Sequence, residues 1–213
     1  MSDKKVTSNF TAAKQFVAMK RDHGQESLSG PGSWLCNTSE SVEFINETIA
    51  DYGVSSILDL GCGDWNWFSR VNLDGVTYQG WDADESMVAD VSARHGGPSV
   101  TFAVKDIVLE DYPAVDLIVC RDVLFHMMPA VALAVLEKIQ RSGALLIATS
   151  FRDAPRNEKP VQYTTFENWG YYDINLNIAP FNLLNREIAW REEKANGNPR
   201  NSRFICLYDF RNC

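Results

Sequence analysis

The sequence predicts an α/β protein, with one mostly parallel sheet and helices on both of its faces. Three observations carry this. A short apolar run, Ser56-Ile57-Leu58-Asp59-Leu60, leads straight into Gly61-Cys62-Gly63-Asp64. Strand-like runs ending in an acid recur after it: Val76-Thr77-Tyr78-Gln79-Gly80-Trp81-Asp82, then Val100-Thr101-Phe102-Ala103-Val104-Lys105-Asp106. A fourth run, Ala114 to Cys120, precedes Arg121-Asp122. Segments of helical spacing separate most of these runs, and such alternation makes a parallel sheet with right-handed crossovers.

In chain order, Asn9 to Arg21 reads as a helix from Phe10, Ala13 and Val17, with Phe16 beside them. Gly30-Pro31-Gly32-Ser33 marks a loop. Glu40 to Tyr52 is a stronger helix, with Val42, Ile45, Ile49 and Tyr52 at three- and four-residue steps and Gly53 as its stop. Then follow a strand at 56–60, a helix at about 65–72, a strand at 76–81, a helix at 85–94, strands at 100–104 and 115–120, a helix at 129–141 and a strand at 143–149. Phe151 to Pro180 is long, polar and aromatic; Phe181 to Trp190 and Arg203 to Phe210 read as closing strands around a plain turn at 195–202.

With 213 residues and 24.0 kDa the chain suits one domain with a sizeable core. No apolar run approaches the ~20 residues that span a bilayer. The polar start, Met1 to Phe10, does not read as a signal peptide, so a cytoplasmic protein is expected. The five cysteines form no C-x-x-C pair and no zinc spacing, so neither a metal site nor a disulfide framework is expected. A net charge of −8 opposes an extended nucleic-acid surface. The later part nevertheless holds many bases: Arg152, Arg156, Lys159, Arg186, Arg191, Lys194, Arg200, Arg203 and Arg211. They read as a solvated face or as a patch for an anionic substrate.

Gly61 and Gly63 permit a tight turn and a close backbone approach to a nucleoside-type ligand at the carboxyl end of the first strand. Asp82 follows at about the twenty-residue spacing of a ribose-binding acid. It also has a reading as a helix N-cap, with Glu85 three residues on, although Asp84 is an equally good cap. Asp106 reads either as a ligand acid or as a turn former. A nicotinamide-binding fingerprint needs a third glycine, and that position is Asn66, between Trp65 and Trp67.

The runs Asp-Leu-Gly-Cys-Gly-Asp, Gly-Trp-Asp, Lys-Asp-Ile and Asp-Leu-Ile-Val-Cys-Arg-Asp-Val-Leu-Phe-His make the chain similar to class I S-adenosylmethionine (SAM) dependent methyltransferases. The resemblance is strong from Ser41 to Phe151 and weaker to Cys213. The Gly30 to Trp34 loop, Asn175-Leu176 and Pro180-Phe181-Asn182-Leu183 resemble a poorly characterised bacterial and phage-type branch. The resemblance implies a single-domain seven-stranded sheet whose sixth and seventh strands form a hairpin, the seventh inserted antiparallel. It divides residues 1–213 into an N-terminal helix and lid loop (1–40), a SAM-binding half (41–150) and a substrate-side excursion with the closing hairpin (151–213).

It further implies that SAM is held by Asp59, Gly61, Cys62, Gly63, Asp82, Ala83, Asp106, Ile107 and Arg121. Asp59 would orient the loop or meet the methionine ammonium through water, Asp82 would bind the ribose, Asp106 the adenine amine, and Trp81 and Ile107 would wall the adenine. Asp122 and His126, four residues apart, share a face if their segment is helical and make a candidate base pair. The competing reading of His126 is packing or capping, while His23 and His95 carry no specific role.

The fourth-strand end lacks the Asn/Asp-Pro-Pro-Tyr of amino-methylating DNA and RNA enzymes, and no Pro-Cys nucleophile is present. The expected substrate is a small polar metabolite or glycan, methylated on oxygen or nitrogen, without a membrane partner. RNA, DNA or protein as acceptor and a SAM-binding module without transfer stay open. Tyr163, Phe166, Trp169, Tyr171, Tyr172 and Phe181 read as edge packing or as a substrate lid.

Overall fold

The computed structural model describes residues 26–158, 172–193 and 203–211. Three α-helices and seven strands are found among them: α1 (Ser39–Tyr52), β1 (Ser56–Leu60), β2 (Thr77–Asp82), α2 (Glu85–His95), β3 (Val100–Val104), β4 (Leu117–Cys120), α3 (Pro129–Ser142), β5 (Leu145–Ser150), β6 (Glu187–Glu193) and β7 (Arg203–Asp209). The expected helix at 9–21, His23, the turn at 195–202 and the aromatics Tyr163, Phe166, Trp169 and Tyr171 lie outside the described residues.

The seven strands form one sheet in the order β3-β2-β1-β4-β5-β7-β6. β1 to β5 are parallel, and β7 enters antiparallel between β5 and β6. This is the seven-stranded sheet, with the seventh strand antiparallel, that the resemblance implies. The strand order reverses between β1 and β4, so the crevice for a ligand opens beyond their carboxyl ends.

Successive residues of the central strands feed opposite faces, as the two-residue period requires. On one face Leu58, Leu60, Ile118, Leu146 and Ala148 pack with Ala132, Val135, Leu136 and Ile139 of α3. On the other Ile57, Val119 and Ile147 pack with Phe44 and Ile45 of α1 and Val91 of α2. The helix ends follow their chemistry. Gly53 and Gly143 take left-handed conformations after α1 and α3, while Asp84 accepts the Met87 amide at 2.8 Å to cap α2.

Two expectations need correction. No α-helix follows the glycine turn at 65–72; Trp65 sits at φ 57° and only Phe68–Arg70 makes a 3-10 turn. The reason is packing. Trp65, Trp67 and Phe68 are all buried, and an aromatic cluster with Tyr78 and Phe102 covers the sheet where a helix would lie. The first closing strand is Glu187–Glu193 rather than 181–190. Phe181 and Leu183 pack into the core, and a 3-10 turn at Leu184–Arg186 precedes the strand.

Leu136 is fully buried and Leu109 is 61% exposed. Leu136→Ala should therefore cost about 2–5 kcal/mol in urea unfolding, and Leu109→Ala less than about 0.5 kcal/mol.

Candidate functional site

The glycine turn is built by two left-handed residues, Gly61 at φ 81° and Gly63 at φ 58°. Side chains would also collide there: a Cβ on Gly61 would come within 2.5 Å of Val123, and one on Gly63 would strike the Ser29 hydroxyl. The amides of Gly61 and Cys62 donate to the Trp81 carbonyl at 2.8 and 3.0 Å, locking the turn to the end of β2. Asp82 completes the lock, accepting from Gly63 N at 3.0 Å and Asp84 N at 2.9 Å. Asp84, not Asp82, caps the helix, so Asp82 stands half-buried at the crevice beside Ala83.

Asp59 lies beneath this turn, 4% exposed, and accepts the Tyr78 hydroxyl at 2.7 Å. Burial pushes its carboxyl up to about 7, with the Tyr78 hydrogen bond opposing and Asp82 adding to the rise. Burial also raises Asp82, against the backbone amides that hold it. Beyond β3, Asp106 forms a turn, accepting Val108 N at 2.9 Å on its side chain. The Ile107 carbonyl accepts the Tyr112 hydroxyl at 2.6 Å, and Tyr112 meets Trp81 edge-on. The expected cofactor residues Asp59, Gly61, Cys62, Gly63, Asp82, Ala83, Asp106 and Ile107 thus follow one another along the carboxyl ends of β1, β2 and β3.

Arg121 lies apart from this set. Its guanidinium is taken up by Glu193 (2.8 Å), the Ser41 hydroxyl (3.0 Å), the Gly32 carbonyl (2.9 Å) and Asp122 (3.2 Å), and it stacks over Trp67. Arg203 closes the cluster, reaching Asp122 at 2.8 Å and Glu193 at 2.7 Å. Ser41 also donates to Glu193. Two cations and two carboxylates therefore form one buried quartet. Sequence reasoning missed Ser41 and Glu193 and read Arg203 only as one of many late bases; nothing in local spacing brings them to Arg121.

Asp122 sits at φ 59° and accepts the Thr149 hydroxyl at 2.8 Å. Burial alone would raise its carboxyl, but Arg121, Arg203, Thr149 and His126 together hold it below the usual carboxylate range. The shared helical face expected for Asp122 and His126 is not formed: left-handed Asp122 is followed by one 3-10 turn, Leu124–His126. His126 is half-buried against the Phe125 ring.

An N-terminal loop, residues 26–38, spans the two halves. Asp64 accepts Ser27 Oγ at 3.1 Å, Leu28 N at 2.7 Å and Ser29 Oγ at 3.2 Å. Asn66 donates to the Ser33 carbonyl at 2.9 Å. Farther along, a Cβ on Gly32 would lie 2.7 Å from Asp122 Oδ2, so this glycine packs directly on the carboxylate. The loop thus runs from the glycine turn to the end of β4, across the crevice.

The late bases are mostly neutralised. Arg152 pairs with Glu187, Arg156 with Glu158, Arg191 with Glu40, Glu43 and Glu47, Arg203 with the quartet and Arg211 with Asp209. Among the described residues no cluster of His, Cys, Asp and Glu fits a metal ion, and no helix is long and apolar enough to cross a membrane.

Residues 57–143 match the family model described as a methyltransferase domain. The solved structures similar to the chain include three that span different chemistries. The N-methyltransferase NodS from Bradyrhizobium japonicum WM9, in complex with S-adenosylhomocysteine (SAH), superposes with a TM-score of 0.66 at 13% identity, covering 95% of this chain and 98% of that one. Magnesium protoporphyrin IX methyltransferase from Synechocystis PCC 6803, with bound SAM, gives 0.62 at 17% identity, covering 98% of each. The [4+2]-cyclase SpnF gives 0.50 at 21%, covering 71% of this chain and 59% of that one. No curated protein sequence matches the chain. The residues at the crevice fit SAM, which carries a net positive charge: buried Asp59 and half-buried Asp82 make no ion pair among the described residues.

The quartet and Asp59 make opposite predictions. Glu193→Gln leaves a buried arginine short of a carboxylate and should cost about 3 kcal/mol in chemical unfolding. Asp59 is raised to about 7, so its contribution to stability is present below the unfolded value and is lost as pH rises through 7. Asp59→Asn should therefore stabilise the ligand-free protein by ~2–4 kcal/mol at pH 8 and by little at pH 4, measured by urea unfolding at both.

Proposed function

We propose that this chain, a class I SAM-dependent methyltransferase by its domain match and fold, transfers a methyl group to an oxygen or nitrogen of a small polar metabolite or glycan in the cytoplasm. The observation that carries the substrate class is the pairing of the late bases. Of the six described ones, Arg152, Arg156, Arg191, Arg203 and Arg211 each meet a carboxylate, and Arg186 makes no ion pair. An open basic surface for a phosphate backbone would need them unpaired. That weighs against RNA or DNA as acceptor. A SAM-binding module without transfer is the competing reading, favoured by Gly32 packed on Asp122 at the substrate side.

In this reading the Gly61–Gly63 backbone, Asp59 and Ala83 surround the cofactor, Asp82 holds the ribose hydroxyls, and Asp106 and Ile107 meet the adenine. SAM supplies an already activated methyl group, so the protein's part is mainly alignment. Where the acceptor must lose a proton, Asp122 is a poor recipient: Arg121 and Arg203 keep it ionised and weakly basic. His126, on the turn beside it, takes the base role, and Asp122 orients the site.

Methyl-labelled SAM incubated with the protein and a cell extract split into small molecules, nucleic acid, protein and glycolipid tests the reading. Label should enter the small-molecule or glycolipid fraction and vanish with Asp82→Ala, which should weaken SAM binding by roughly 1–3 kcal/mol in calorimetry. Label in nucleic acid or protein would overturn the substrate class, and no label with SAM tightly bound would favour the module. His126→Ala should lower turnover at unchanged SAM affinity; an unaltered rate would return His126 to a packing role.

A further inference from the structure

The chain between β3 and β4 forms no helix or strand, yet it is held peptide by peptide. The Val108 carbonyl accepts the Lys138 ammonium of α3 at 2.7 Å, and the amide of the same peptide, Leu109 N, donates to the Asp106 carbonyl at 3.0 Å. The Ile107 carbonyl accepts the Tyr112 hydroxyl at 2.6 Å, and the amide of that peptide, Val108 N, donates to Asp106 Oδ1 at 2.9 Å. The Asp106 carbonyl also accepts Glu110 N at 2.9 Å, while Lys138 reaches the Glu110 carbonyl at 2.7 Å. The two holding side chains meet: the Lys138 ammonium lies 5.6 Å from the centre of the Tyr112 ring, which abuts Trp81 edge-on. In these three successive peptides, only the Ile107 amide makes no hydrogen bond among the described residues. A trans peptide sets its N–H opposite its C=O. With the Asp106 carbonyl turned into the loop, the Ile107 amide faces out of it, next in the chain to the Asp106 carboxylate.

A carboxylate followed by an outward amide is an acceptor beside a donor. That is the complement of the adenine edge, which offers its exocyclic amine beside the unprotonated N1. Hypoxanthine, with the amine replaced by a carbonyl and a proton on N1, offers the reverse. Turning the Asp106–Ile107 peptide over would put a carbonyl where the amide stands and fit the wrong base. We propose that Tyr112 and Lys138 are positioning residues that fix the polarity of this edge, so that it takes an adenine cofactor and rejects a deaminated one. This rests on the placement of adenine at Asp106 and Ile107 proposed above. Each residue acts through the carbonyl it holds. Tyr112 pins the peptide whose amide binds the Asp106 carboxylate, and Lys138 pins the peptide whose amide binds the Asp106 carbonyl. Loss of either frees the Asp106–Ile107 peptide to turn.

The test is calorimetric titration of the full chain with SAH and with its deaminated analogue, S-inosylhomocysteine. The wild type should prefer SAH by at least about thirtyfold, because the analogue loses one hydrogen bond and sets like groups against each other. Tyr112→Phe keeps the ring and Lys138→Met keeps the aliphatic stem, so both should fold, as thermal melts check. Each should narrow the preference at least about fivefold, mainly by weakening SAH. A merely structural role would weaken both ligands in proportion; an unchanged ratio in the two folded variants overturns the inference. A wild type that binds the two ligands equally overturns it as well. Asp106→Asn separates this failure from that of the adenine placement. It should remove most of the preference, and an unchanged SAH affinity there takes adenine away from this edge. Failure of the folded wild type to bind SAH at all overturns the cofactor assignment. The inference falls with either.

Discussion

The closing hairpin, the first helix and the N-terminal loop all converge on one guanidinium. Arg121 leaves the end of β4 and meets β6 through Glu193, α1 through Ser41, the N-terminal loop through the Gly32 carbonyl and its own neighbour Asp122. Such a group is tolerable in the interior only because its partners are close and in hydrogen-bond geometry; desolvating an arginine without them would cost several kcal/mol. Arg203 from β7 repeats the arrangement from the other side. The quartet is a constraint more than a source of stability. It fixes where the hairpin, the first helix and the loop must sit relative to β4 if no charge is to be left unmatched.

The glycine turn is built on the opposite rule. There the backbone, not ion pairing, does the holding: Trp81 O takes two amides of the glycine turn and Asp82 takes a third. The acids are left over as unmatched negative charge. The carboxylates of the quartet are matched by arginines, and Asp59 and Asp82 at the glycine turn are not. The arginines hold the Asp122 carboxyl below the usual range, while burial pushes that of Asp59 up.

Much of this was legible in the chain. The alternating runs give the parallel sheet because period-two and helical patterns leave little choice of topology. Gly61, Gly63, Asp82 and Asp106 stand out because their spacing is local and each lies at a strand end. The helix expected at 65–72 failed because three aromatics in four residues, Trp65, Trp67 and Phe68, read equally well as an apolar helix face and as a plug. Burial against Tyr78 and Phe102 decided for the plug. The helical face shared by Asp122 and His126 failed because a left-handed Asp122 leaves no trace in side-chain pattern. Glu193 and Ser41 were invisible for a different reason: their partnership with Arg121 spans 72 and 80 residues, and only the closed sheet brings them together.

The missing helix has a consequence for the site. A helix after the glycine turn would present free amides to the anionic end of a ligand. With Trp65 left-handed and the chain folded into the aromatic plug, no such helix start forms at 65–72, and the N-terminal loop hydrogen-bonds the residues that follow the turn. Asp64, the residue after the turn, collects donors from Ser27, Leu28 and Ser29, and Asn66 holds Ser33. The same loop then packs Gly32 against Asp122. One segment therefore touches both the glycine turn and the carboxylate that the quartet holds. Contact with both makes the loop, more than any strand, the element that ties the glycine turn to the quartet. A side chain larger than glycine at position 32 would push it off the quartet and break that link.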